Sequence, residues 1–337
     1  LMINKKTKFC KAAALLGAAV MMISALAGCG KNTKVVLTAG LKKNEVFRIS
    51  SASCVLPEVM VYLTNMQNQY ESVYGSQIWN ASDGQLSLEQ EEREQVLTQL
   101  ARIKVMNLLA QKKEVTLDDK EKERAAAAGR EYFTSLNSAE VTALNVTQDL
   151  ITKMYEEYAL AEKVYQTIVE NVNPEVSDDE ARTITVDMIR VSDSAKASQV
   201  LGKAKEEGVD FETLAQAESE DQTVMQSFGK GEVSEALEKA AFNLGKDEIS
   251  DVVESDGSYY ILKCISTFDE AQTKANKEKI VKQRQSEAFD TEYTAFEQTL
   301  VRQLNEELWN SVTMIHQDDV KTSSFFEVYQ MYFQHQE

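Results

Sequence analysis

Histidine and proline are almost missing from this chain: two of each occur in 337 residues. His316 and His335 both lie near the C-terminal end, which excludes most chemistry that uses imidazole as a base or as a metal ligand. Positive charge is also short. Lys and Arg total 36 against 54 Asp and Glu, a net charge of −18. An acidic chain lacks the basic footprint of a nucleic-acid binder. It does not adhere by charge to an anionic bilayer either; the surplus acid serves solubility. No metal-ligand spacing, Gly-rich phosphate loop or Gly-x-Ser-x-Gly turn is present, and Gly229-Lys230-Gly231 is too short a pattern to count. An ordinary hydrolase or nucleotide enzyme is thereby excluded, and no cofactor or metal is implied. The one long apolar run, Ala12 to Ala27, is too short for a comfortable membrane span.

That run has a different reading. Lys5, Lys6, Lys8 and Lys11 precede it and Leu26-Ala27-Gly28-Cys29 closes it, the layout of a secretory signal peptide. The closing residues match the lipobox of bacterial lipoproteins. The resemblance implies that Cys29 takes a diacylglycerol group, that the chain is cut before Cys29, and that the new N-terminus is acylated. The protein would then work outside the cytoplasm, lipid-anchored at the outer face of the membrane. Of four cysteines, Cys10 leaves with the signal and Cys29 is the lipid site. Cys54 and Cys264 remain, either paired outside the cytoplasm or as two separate buried thiols.

Along the remainder, residues 29–45 read as the lipidated cysteine and a tether. Val46, Phe47 and Ile49 suggest a brief strand. Pro57 suits the first turn of a helix running to about Ile78, whose face is loosely apolar and rich in glutamine and asparagine. Ser87 with Gln90 forms a capping box for a second helix, with Val96, Leu100, Ile103 and Met106 or Asn107 at helical spacing. Thr116 to Leu136 predicts an exposed helix. Thr147 opens a long one, whose stripe of Tyr155, Tyr158 and Tyr165 is expected to be core. Pro174 breaks it. The pattern then becomes mixed: a strand over Thr183–Arg190; helices over Ser194–Glu207, Phe211–Ala217 and Glu235–Phe242; strands over Ile249–Val253 and Ser258–Ile265, joined by the hairpin signal Asp256-Gly257. A charged helix is expected over 271–312, then a last strand over Ser311–Ile315. The aromatic stretch Phe325–Phe333 has no clear partner; it is an added amphipathic helix or a disordered end.

The segment Ile184–Thr267 resembles a parvulin domain, the small α/β fold of one prolyl isomerase class. Ile184–Val191 stands at the family's first strand. Phe211-Glu212-Thr213-Leu214-Ala215 with Ser219 and Asp221 matches Phe-x-x-Leu-Ala…Ser-x-Asp. Ala240-Ala241-Phe242-Asn243-Leu244, Glu248-Ile249-Ser250-Asp251-Val252-Val253 and Ser258-Tyr259-Tyr260-Ile261-Leu262-Lys263 match three further motifs in order. With helical flanks on both sides, the chain resembles extracytoplasmic foldases of the PrsA/SurA type. The fold implied is α+β. One helical chaperone domain is built from residues 46–175 and 270–320, a parvulin-like domain of 176–269 is inserted in it, and a tail follows over 321–337.

Against that family the site has changed. Met188 and Tyr260 replace its two strand histidines, Val233 and Leu237 stand where its proline pocket has methionine and phenylalanine, and the rim stretch shortens to Gln226-Ser227-Phe228-Gly229. Twisting a peptide bond faces a barrier of ~18–20 kcal/mol, lowered by an apolar proline slot and polar groups that favour the twisted amide. Tyr260 retains a hydrogen-bond donor. The residues that would line the site are Met188, Phe228, Val233, Leu237, Phe242 and Tyr260. The leading expectation is a membrane-anchored chaperone for unfolded or partly folded secreted polypeptides, with a weak or inactive isomerase module. An active prolyl isomerase and an envelope scaffold are the alternatives.

Overall fold

The computed structural model describes residues 40–81 and 87–333. The signal segment, Cys29 and His335 lie outside the described residues. In chain order come β1 (Glu45–Ile49), β2 (Ala52–Val55), α1 (Leu56–Tyr74), a 3-10 turn (Ser76–Asn80), α2 (Leu88–Lys112), α3 (Asp119–Ser135), α4 (Ser138–Leu144) and α5 (Gln148–Val169). Next are α6 (Asp178–Ala181), β3 (Ile184–Val191), α7 (Ser194–Ala204), α8 (Phe211–Glu218), β4 (Met225–Phe228), α9 (Glu235–Phe242), β5 (Val253–Ser255) and β6 (Ser258–Ser266). α10 (Glu270–Glu297), β7 (Arg302–Leu304), α11 (Glu306–Asn310) and α12 (Phe325–Phe333) close the chain. The fold is α+β. Two compact bodies divide the described residues: one takes those up to Asn171 and those from Ser286, the other Val172–Gln285.

In the first body, helix starts are written locally. Ser87, Asp118, Asn137 and Thr147 each accept the backbone N–H three residues on, filling donors a helix leaves orphaned. α1 has no such side chain at its N-cap. Glu58 folds back instead and accepts the Val55 N–H at 2.8 Å. α1, α2, α3 and α5 bury one core, with Val61, Leu63, Leu109, Tyr132, Ile151 and Tyr155 sealed from water. Gly129 lets α3 approach α5: a Cβ there would meet Thr152 Oγ1 at 2.4 Å and its Cα at 2.9 Å. An ion triad lies inside. Lys104 Nζ is 2.8 Å from Glu58 Oε1 and 2.6 Å from Glu157 Oε2.

Several expectations are corrected in this body. α1 stops at Tyr74, where Gly75 takes φ 77° and ends it, and Val73 near its end is exposed. The short helix α4 is an addition to the expected elements, marked in the sequence only by the capping pair Asn137 and Glu140. The helix expected to run to 312 ends at Glu297. β7 follows, pairing antiparallel with β1 in a sheet of order β2-β1-β7, and Asn305 caps α11. Leu300 and Leu304 therefore lie beyond the helix, because the free edge of β1 offered the main chain a better set of partners than another helical turn. Ser311–Ile315 has no strand. Phe325–Phe333 is a helix with Phe325, Val328 and Tyr329 buried.

The second body is a four-stranded antiparallel sheet of order β4-β3-β6-β5. Strand alternation sends Ile189, Val191 and Ile261 to one face, with Phe211 and Ala215 of α8 and Ala197 and Val200 of α7. Val186, Met188, Leu262 and Cys264 go to the other, with Leu237 and Ala241 of α9. The β5–β6 hairpin turns on Asp256 (φ 50°) and Gly257 (φ 74°), the positive-φ pair that a two-residue turn demands. The strand expected at Ile249–Val253 is shifted: β5 begins at Val253, and Ile249 makes only an isolated bridge to Lys263. Cys54 and Cys264 are free and buried, one in each body. Among the described residues, no helix is long and apolar enough to cross a membrane, and no three His, Cys, Asp or Glu side chains are grouped to hold a metal ion.

Candidate functional site

All six residues expected to line a proline site come together on one face of the second sheet. Met188 of β3 lies opposite Leu262 of β6, and Arg190 lies opposite Tyr260. Met188 and Tyr260 thus share a face, one step apart along the strands. Phe228 ends β4 opposite Ile184, Leu237 and Phe242 come from α9, and Val233 precedes it. The face is filled rather than open. Met188 and Phe228 are each 4% exposed and Leu237 is 7% exposed. Val233, Phe242 and Tyr260 are half-buried.

Its rim is charged. Phe242 packs edge-on against Phe228, with ring centres 6.2 Å apart. Above it sit two cations, the Arg182 guanidinium at 4.9 Å from the ring centre and the Lys230 ammonium at 5.7 Å, a favourable placement over an aromatic face. Arg182 also donates to the Phe242 carbonyl at 2.9 Å. Asp179 binds both cations, and the hydrogen bond and charge of Lys230 hold its carboxyl below the ordinary carboxylate range.

Tyr260 has a cationic neighbour as well. Arg190 Nε donates to Asp221 at 2.7 Å. Ser219 Oγ accepts from the backbone N–H of both Arg190 and Asp221. The Ser-x-Asp motif is therefore a clamp on the end of β3, beside Tyr260. Sequence reading quoted Ser219 and Asp221 but missed Arg190, Arg182 and Lys230. The contacts that place them at the site are distant in sequence: Asp221 for Arg190, the Phe242 carbonyl for Arg182 and Asp179 for Lys230 lie 31, 60 and 51 residues away.

A family model described as the PPIC-type PPIASE domain matches residues 146–279, which contain this sheet and its rim. The chain carries a parvulin domain. Foldase protein PrsA of Streptococcus pneumoniae (strain Hungary19A-6) is 31% identical to it over 165 residues, 44% of this chain and 53% of that protein. The chain thus spans about half the length of the curated relatives it matches. Among solved structures, PrsA of Bacillus cereus is similar over 72% of this chain and 91% of its own, at 19% identity and a TM-score of 0.38. A SurA-like chaperone of Campylobacter jejuni, from the structures of PEB4 and Cj1289, is similar over 77% and 98%, at 10% identity and a TM-score of 0.31.

Proposed function

We propose that this chain is an extracytoplasmic foldase that binds unfolded or partly folded secreted polypeptides, is held at the outer face of the membrane by a lipid on Cys29, and keeps its parvulin domain as a weak or inactive isomerase. The relatives named foldase support the first part. The observation that carries the last is Met188, which stands in place of a family histidine and is sealed into the sheet face beside Leu262. A buried thioether offers no proton and no strong hydrogen bond. The face that would receive a proline ring is occupied by its own side chains, and Phe242 at its rim is covered by Arg182 and Lys230. Tyr260 keeps a hydroxyl donor at the margin of that face, opposite Arg190.

The test has two arms. Cis–trans isomerisation of a peptide panel with varied residues before proline is measured on a folded soluble form beginning at Gly30. A rate near the uncatalysed one, alongside suppression of aggregation of an unrelated unfolding protein, is expected. Fast turnover that is lost in Leu237→Ala, with circular dichroism unchanged, would overturn the weak-site reading and establish the active enzyme. The anchor is tested separately: mass spectrometry of the membrane-extracted protein is expected to find Cys29 N-terminal and diacylglycerol-modified, and Cys29→Ser is expected to leave the membrane fraction without a lipidated form.

A further inference from the structure

The first body holds a part of its own chain in the manner of a bound peptide. Residues 315–324 have no regular secondary structure, yet their main chain is gripped by side chains of α1 and α4. Gln67 makes a two-way contact with Ile315, donating to its carbonyl at 2.9 Å and accepting from its N–H at 3.1 Å. Asn68 donates to the carbonyls of Thr322 at 2.8 Å and Val320 at 3.3 Å, and Gln69 donates to that of Ser323 at 2.8 Å. Asn65 accepts the Phe325 N–H at 3.0 Å, and Tyr155 donates to the Phe325 carbonyl at 2.8 Å. On α4, Glu140 accepts the Lys321 N–H at 2.9 Å, while Asn137 at its N-cap donates to the Asp319 carbonyl at 2.8 Å. Each of these bonds ends on a main-chain atom of the segment, so none depends on which residue is there; one further bond, from the Thr322 hydroxyl to the Tyr132 hydroxyl at 3.0 Å, does. Strand-addition peptide sites use the same principle; here side-chain amides replace a sheet edge.

The other half of the recognition is aromatic. Phe325 stacks on Tyr155 with ring centres 4.4 Å apart and meets Tyr132 edge-on at 5.2 Å. Tyr329, one turn further, lies 4.5 Å from Tyr158 and donates to Glu162. Main-chain contacts that ignore sequence, followed by aromatic anchors in a buried socket, suit a receptor for many unfolded chains. The socket residues stand on α1, α3 and α5; α3 packs directly on α5, and α2 packs against both α1 and α5. Buried amides are an expensive way to close a permanent core, where apolar side chains serve without the need for partners. A polar cleft of about 540 Å³ lies between α1 and residues 315–318, where His316, Gln317 and Asp318 are exposed.

We propose that residues 315–333 are an intramolecular occupant of a polypeptide-binding groove formed by α1, α3, α4 and α5, and that an unfolded client segment competes with them for it through its main chain and spaced aromatic side chains. The inference rests on the reading of this chain as a binder of unfolded polypeptides.

The test uses a labelled synthetic peptide of residues 315–333 added to the mature chain, with binding read by fluorescence anisotropy. Phe325→Ala combined with Tyr329→Ala weakens the chain's own occupant, so the added peptide is expected to bind this variant about tenfold tighter or more than the unsubstituted protein, since apparent affinity scales with the fraction of open grooves. Equal affinity in a variant folded by circular dichroism overturns the proposal. If the variant does not fold, hydrogen exchange on the unsubstituted, isotope-labelled chain decides. Excess peptide is expected to speed exchange of its amides at 315–333 and leave 148–169 unchanged; no change at 315–333 overturns the proposal. A reduced, carboxymethylated unfolded protein separates the two readings. If it binds neither form while the peptide gains affinity for the variant, the groove stands and the foldase reading fails. If it binds both forms equally and the peptide gains nothing, the foldase reading stands and the groove fails.

Discussion

Met188 and Tyr260 share one face of the four-stranded sheet, diagonal to each other across β3 and β6, through the pairs Met188–Leu262 and Arg190–Tyr260. One is sealed in the core and the other is at its margin. On the proposed reading, a histidine at position 188 does not by itself build an active site. Met188→His places an imidazole without a partner among apolar side chains, at a cost of about 1–3 kcal/mol. The expected outcome is faster hydrogen exchange in β3 and β6 with no gain in isomerase rate.

Gly129→Ala reverses the usual helix rule. Alanine in a helix interior is better than glycine by roughly 0.5–1 kcal/mol. Here the added Cβ would press on the Thr152 main chain at 2.9 Å from Cα and 3.0 Å from N, and overpacking costs typically 1–3 kcal/mol. The clash outweighs the propensity gain, so thermal unfolding is expected to begin at a lower temperature in Gly129→Ala.

Glu92 gives the fold a pH dependence. Its carboxylate is buried with neither oxygen hydrogen-bonded, and burial pushes its pKa up to about 7 from 4.5. The folded state then holds a proton that the unfolded state releases between about pH 4.5 and 7. Stability falls as pH rises through that window, by up to roughly 3 kcal/mol. Below it both states are protonated and the term vanishes. Glu92→Gln removes the ionisation, so the variant is expected to gain more in melting temperature at pH 8 than at pH 4.5. Equal shifts at both values would disprove it.

The ion triad ranks its own members. Lys104 and Glu58 side chains are each 2% exposed, whereas that of Glu157 is 19% exposed. Burial opposes the Lys104 charge, but the two carboxylates outweigh it and raise the pKa above the usual lysine value. Glu58→Ala strips the buried partner and the acceptor for the Val55 N–H, with an expected loss of about 3–5 kcal/mol. Glu157→Ala leaves Lys104 still paired with Glu58 and is expected to cost distinctly less, as read by urea unfolding.

Local signals carried far in this chain. The capping box at Ser87 and Gln90, the cap at Thr147, the break at Pro174 and the hairpin at Asp256-Gly257 all act within a few residues, and each is found where the pattern placed it. Failures occurred where a distant partner decided the outcome. Apolar spacing continued past Glu297, yet the edge of β1 drew Arg302–Leu304 into a strand. Phe325–Phe333 had no partner within reach of sequence reasoning, because Tyr62, Tyr132, Tyr155 and Tyr158 lie far away along the chain. At the candidate site, the juxtaposition of the six residues on one sheet face was legible through family motifs. Their burial, and the cations over Phe242, were not.

The sequence by itself determined the helix starts, the two-residue turn and the motifs shared with parvulin domains, because those depend on backbone geometry and residue chemistry within short windows. The tertiary structure alone decided that Met188 and Leu237 are packed inside, that Arg182 and Lys230 cap Phe242, and that the asparagines and glutamines of α1 hold residues 315–325. Those outcomes are set by which surfaces exclude water together, and that depends on contacts between segments up to 260 residues apart.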